Sequence, residues 1–104
     1  MALKSRSRLA GLDDIFRSIA QNVYFQPPET IKMKYPCIIY HLDDYYILHA
    51  DNNPYQMQKR YLVTVVDKNP DSEIKDEVAS LPMCSFSRHY TADNLNHDVF
   101  TIYY

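Results

Sequence analysis

One glycine, Gly11, and no tryptophan occur among 104 residues. With so little glycine there is no loop of the kind that cradles a phosphate or shapes an oxyanion hole, and turns must be built from Asn, Asp and Pro. Cysteine is scarce as well: Cys37 and Cys84 stand alone among apolar neighbours, which reads as buried thiols of a reducing compartment rather than a staple. No apolar run approaches the roughly 20 residues of a membrane-spanning helix. Lys4-Ser5-Arg6-Ser7-Arg8 leads into an amphipathic pattern instead of a continuous apolar stretch, so no secretory leader is expected. Neither sign of charge dominates. A formal net charge of −2 supports no general attraction to nucleic acid, and Lys4, Arg6 and Arg8 read as a solvated arm over about residues 1–7.

What the chain does have is ordinary apolar content, 46%, in a length that suits a single domain over 1–104. It also has ten tyrosines. Tyrosine joins a large apolar ring to a wet end, which suits surfaces buried against a partner.

Leu9, Leu12, Ile15, Phe16, Ile19 and Val23 recur at helical spacing opposite Arg8, Asp13, Asp14, Arg17, Ser18 and Gln21, predicting an amphipathic helix over about 7–22. Pro27-Pro28 ends it. Tyr35 to Leu42 is rich in strand-forming residues; Asp43-Asp44 interrupts the run and Tyr45 to Ala50 resumes it. These two runs predict a hairpin from Ile38 to Leu48 with Asp43, Asp44, Tyr45 and Tyr46 at its turn. Asp51-Asn52-Asn53-Pro54 is a further turn. Residues 58–67 form the best single strand, apolar on both faces as a covered central strand would be. Asp71 or Ser72 can cap a short helix whose stripe is Ile74, Val78 and Leu81. Met83 to Tyr104 then alternates, turns at 92–96 and alternates again, a closing hairpin. The expected fold is α+β: a mainly antiparallel or mixed sheet with a projecting β-hairpin, packed by an N-terminal helix and a short second helix.

Catalytic chemistry finds little footing. His41 and His49, and likewise His89 and His97, fall on neighbouring predicted strands, and Cys37, Cys84, Asp51 or Asp98 would have to complete a zinc site. No local spacing resembles a ligand pair, so satisfied or solvent-facing histidines are the plainer reading. Neither cysteine sits at a helix N-terminus or a sharp glycine turn. The carboxylates lie in turns and on polar helix faces, where solvation and capping explain them. No catalytic residue, cofactor or metal is therefore expected. The tyrosines at 24, 35, 45, 46 and 55, with Phe25, flank loops and together exceed what one small core needs.

Three stretches carry a resemblance to a known family. They are Asn22–Tyr40 (Asn-Val-Tyr-Phe-Gln-Pro-Pro-Glu-Thr-Ile-Lys-Met-Lys-Tyr-Pro-Cys-Ile-Ile-Tyr), Tyr61–Ile74 (Tyr-Leu-Val-Thr-Val-Val-Asp-Lys-Asn-Pro-Asp-Ser-Glu-Ile) and Arg88–Tyr104. Together they resemble the small tail-terminator proteins (tail-completion, head-tail joining) of long-tailed bacteriophages, over about the last four fifths of the chain. The resemblance implies a homo-oligomeric ring, usually a hexamer, made in the bacterial host cytoplasm and placed in the neck of the virion. Its partners would be the tail tube protein and the head connector or stopper protein, with DNA passing through unbound and no membrane involved. It brings no catalytic residue. On that reading Asp43, Asp44, Tyr45, Tyr46, Tyr55, Tyr103 and Tyr104 are candidate interface residues, and Asp71, Glu73, Asp76 and Glu77 are candidates for the lumen. Two alternatives stay open: a head-side neck protein (stopper or adaptor ring), and a small metal-dependent enzyme using His41, His49, His89 and His97.

Overall fold

The computed structural model describes the backbone of residues 2–28, 31–50 and 53–104, with side chains over 11–28, 31–45, 47 and 58–104. The elements are α1 (Ala2–Ile19), β1 (Val23–Phe25), β2 (Cys37–Ala50), β3 (Asn53–Asp67), α2 (Glu73–Ala79), β4 (Cys84–Ala92) and β5 (Leu95–Tyr103). The five strands form one sheet in the order β1-β2-β3-β5-β4. Only β1 and β2 run parallel; the other neighbours are antiparallel. This is the expected α+β fold with a mixed sheet and a projecting hairpin.

The order helix, three strands, helix, two strands matches the sequence pattern, but two strands are assigned differently. Asp43-Asp44 does not end a strand. β2 runs through it to Ala50 and absorbs it as a bulge between Leu42 and Asp44, where an extra residue leaves the ladder and both flanking pairings survive. The hairpin turn therefore lies beyond Ala50, and Asp43 to Tyr46 belong to the strand itself. The missing strand is β1, three residues of which the first, Val23, was counted in the helical pattern: α1 stops at Ile19 and Val23 pairs with Ile38. At its other end α1 begins at Ala2, so residues 2–7 of the stretch read as a free arm are helical; Leu3, Lys4 and Arg6 are good helix formers.

Both helices pack on one face of the sheet. Leu12 and Phe16 of α1, Ala20 just beyond its end and Val78 of α2 meet Ile38 and Tyr40 of β2, Tyr61, Val63 and Val65 of β3, and Phe100 and Ile102 of β5. The alternation of a strand explains the choice of residues, since every second side chain shares a face. Tyr40 is buried with its ring edge-on to Phe16 at 4.9 Å, and its hydroxyl donates to Asp13 Oδ1 at 2.7 Å. Arg17 Nε donates to the other oxygen of that carboxylate at 2.6 Å, so Asp13 ties α1 to the sheet. Ser72 caps α2, its Oγ accepting from the Ile74 N–H at 3.2 Å. Asp93 and Asn94 both have positive φ, 54° and 62°, which makes a two-residue turn between Ala92 and Leu95 whose twist matches the flanking strands.

Candidate assembly surface

β1 accompanies β2 only at Val23 to Phe25, and β5 follows β3 only as far as the Arg60↔Tyr103 pair. The Tyr104 N–H adds one more bond, to the Lys59 carbonyl; beyond it residues 46–50 and 53–58 form a two-stranded ribbon, about 20 Å long at the usual rise per residue. It accounts for the long axis of the molecule, 51 Å against 24 Å in the other directions. An isolated two-stranded ribbon is marginal in water. At its root Arg60 acts as a clasp: Nη2 lies 2.8 Å from Asp43 Oδ2 and 3.5 Å from Asp44 Oδ2. Hydrogen bonding to the Tyr103 side chain first, and to Asp43 second, favours the charged guanidinium further.

Along the ribbon Tyr45 and Ile47 are 46% and 43% exposed. Tyr45 faces Lys59 in register, with the ammonium 5.6 Å from the ring centre. Asp43 and Asp44 are exposed too. The side chains of Tyr46 and Tyr55 lie outside the described residues.

Where the ribbon leaves the body there is a groove of about 360 Å³ between Ile15 of α1, the Leu81–Met83 corner, Ile102, and the half-buried Tyr103 and Tyr104. The only glycine belongs here. A Cβ on Gly11 would come within 2.6 Å of the Tyr104 hydroxyl, so the bare helix surface makes room for that ring. Sequence spacing marks Gly11 as a weak point of a helix and cannot show what rests against it.

Among the described residues no helix packs on the sheet's other face. Cys37, Val66 and Leu95 form a small cluster there with Tyr24 and Ile39. Burial, with a smaller contribution from the charge of Asp67, pushes the Cys37 thiol up to about 11, so it is an inert apolar side chain. Leu62, Thr64 and Thr101 are half-buried and His41 is exposed. Arg88, Tyr90 and His97 stack in series: the guanidinium sits 5.2 Å from the Tyr90 ring centre, and that ring lies 4.6 Å from the imidazole at 12°.

The histidines do not converge. His89 Nδ1 meets the buried Asp98 Oδ1 at 2.7 Å, whereas His97 stacks on Tyr90; Asp98 and His97 are consecutive in β5, so the two contacts fall on opposite faces. The conceivable His89–His97 pair is therefore not formed, and His41 and His49, read as lying on neighbouring strands, both belong to β2. His49's side chain lies outside the described residues. Cys37 belongs to the open-face cluster and Cys84 packs against the helix-side core, so the thiols are apart as well. Among the described residues no group of three His, Cys, Asp or Glu side chains lies close enough to hold a metal.

Asp71, Glu73, Asp76 and Glu77 are all exposed around α2, three of them on the helix itself, and Glu73 and Asp76 in its first turn favour the helix on their own account. Asp13, by contrast, is engaged by Tyr40 and Arg17. The chain matches no family model and no curated protein.

Proposed function

We propose that this chain is a structural protein of a long-tailed bacteriophage, a subunit of a ring that closes the head-proximal end of the tail tube and joins it to the head connector. The observation that carries the reading is the pairing of a ribbon with exposed Tyr45 and Ile47 to a sheet face without helical cover. A lone domain gains nothing from the exposed ribbon side chains, and neighbouring subunits would bury them together with Leu62, Thr64 and Thr101, which the subunit leaves half-buried around the already covered Cys37 and Val66. The resemblance of 22–40, 61–74 and 88–104 to tail terminators supplies the biological setting. Six copies around the DNA path make the ring, and the exposed carboxylates of α2 give it a lumen that does not hold on to the phosphate backbone. Tail tube protein and connector contact its two ends.

Disabling the chain's gene in the phage that carries it tests the reading. Particles should then show tails of uncontrolled length separated from filled heads, and adding purified protein should restore joining. Normal tails attached to heads in its absence overturn it.

A further inference from the structure

The sheet ends in β4 on one side and β1 on the other. Cys84–Ala92 contains no proline and no lysine, the usual guards of an edge. A bulge between Phe86 and Arg88 bends its first half, and the stretch beyond is regular. The two-residue turn closes on Ala92 and Leu95, which exchange the bonds of a tight hairpin. Alternation from there turns Tyr90 toward β5 and leaves the backbone groups of Thr91 and His89 pointing outward. On β1 the Ile38 N–H donates to the Asn22 carbonyl and the Gln26 N–H to the Tyr40 carbonyl, both at 2.9 Å. Asn22, Tyr24 and Gln26 therefore turn toward β2, and Val23 and Phe25 turn their backbone groups outward. The Val23 carbonyl receives Arg17 Nη2 at 3.4 Å, which leaves its second lone pair.

These two short edges match in length, direction and face. Each offers two outward residues separated by one that turns inward. β1 is parallel to β2, β2 antiparallel to β3, and β3 and β4 are both antiparallel to β5. β4 of one copy is thus antiparallel to β1 of a second copy whose strands keep the same direction. Setting Val23 against Thr91 and Phe25 against His89 engages every outward residue. Val23 belongs to the helix-side core, and the Phe25 ring lies 5.0 Å from that of Tyr40 on the same face. His89 lies on that face as well, against Asp98. Directly opposed residues share a face, so the helices of both copies fall on one side of the joined sheet; the opposite parity would alternate them and prevent a wall from curving one way. On the other face Tyr24 meets Tyr90 and extends the row of Arg88, Tyr90 and His97. Exposed rings stand at both edges: Phe25 is 39% exposed, Tyr90 40% and Phe86, next along β4, 59%.

We infer that copies of this chain join edge to edge, β4 of one antiparallel to β1 of the next, as one continuous sheet. Each copy gives a different edge to each neighbour, so the contact is heterologous and closes into a ring when the rotation permits. The repeat keeps strand direction, so every ribbon leaves by the same rim and every α2 faces the same side of the wall. The ring then has two different ends. The inference deepens the ring reading and rests on it for closure alone. The ribbon's exposed side chains, with Leu62, Thr64 and Thr101, stay available to the other contacts invoked there.

Mixed cross-linking tests the pairing, in chains that carry Cys84→Ser and keep the wild-type circular dichroism. Phe25→Cys mixed with His89→Cys should give a covalent dimer with a short bismaleimide, while neither variant alone should. Phe25→Cys mixed with Thr91→Cys, a diagonal pair about 7–8 Å apart, repeats the test with His89 left on Asp98. No dimer from either mixture overturns the pairing, and so does a dimer from His89→Cys or Thr91→Cys alone, which would set β4 on β4. Thr91→Pro in the His89→Cys chain removes an outward N–H without touching the ladder to β5; it should abolish the mixed cross-link, and persistence overturns the pairing. A mixed cross-link together with normal tails in the gene-disabled phage counts against the tail-end reading alone. Lost joining in that phage without the cross-link counts against the pairing alone.

Discussion

Tyr40 shows what a single residue can hide. The sequence places it in a strand-forming run and does not single it out among ten tyrosines, yet it is buried and anchors α1 through Asp13. Leu12 and Phe16 were legible because helical spacing is a local property; the partner of a tyrosine hydroxyl 27 residues away in sequence is not. Two predictions belong here. Phe16 is fully buried, so Phe16→Ala should cost about 3–5 kcal/mol in urea unfolding; an unchanged midpoint would remove α1 from the core. For Asp13, burial pushes the carboxyl upward, but the hydrogen bonds from Tyr40 and Arg17 outweigh it and hold it below 3.8. A group depressed in the folded state contributes fully above its unfolded value and loses that contribution as pH falls through the folded one. The stability gap between the wild type and Asp13→Asn should therefore be constant near neutrality and narrow below about pH 4. A gap that widens in acid would contradict the assignment.

At the scale of elements, long periodic segments were readable and short or interrupted ones were not. α2 and the closing hairpin lie where capping, alternation and turn chemistry place them, and β3 covers the expected 58–67 but starts earlier, at Asn53, inside the stretch 51–54 read as a turn. β1 is too short to show a period, and Val23 continued the helical one by coincidence. Asp43-Asp44 looks like a turn because aspartate is depleted from strands; what keeps it in β2 is Arg60, far along the chain, together with the bulge. Arg60→Ala should thus loosen the ribbon more than the fold. Such solvent-exposed ion pairs contribute only about 0–1 kcal/mol globally, so the melting temperature should move little while amide exchange across 44–50 and 53–58 accelerates. Uniform acceleration throughout the sheet would mean that the clasp holds the body. Reversing the charge of both Asp43 and Asp44 should, on the proposed reading, impair joining of tails to heads while leaving the subunit folded.

For the whole molecule, tyrosine abundance and a doubly apolar central strand hinted at neighbours, but only topology reveals where they would sit. Both helices cover one face, β5 ends early, and the ribbon stands clear; none of these follows from local composition. Charge is different, because it can be counted before the fold is known and placed afterward. The carboxylates at 71, 73, 76 and 77 cluster on the exposed side of α2, while Arg17 and Arg60 are committed to Asp13 and Asp43 and Arg88 lies over Tyr90. Lys32, Lys34 and Lys68 remain exposed, so on the proposed reading they would face away from the channel, where phosphate contacts would hold the duplex. Purified protein should consequently bind duplex DNA weakly or not at all at physiological salt. Replacing Asp76 and Glu77 together by Lys should create a salt-sensitive affinity and slow or block genome passage through assembled particles if α2 lines the channel. Normal infectivity of that double variant would move α2 to the outer surface, and tight, steeply salt-dependent binding by the unmodified chain would overturn the passive conduit altogether.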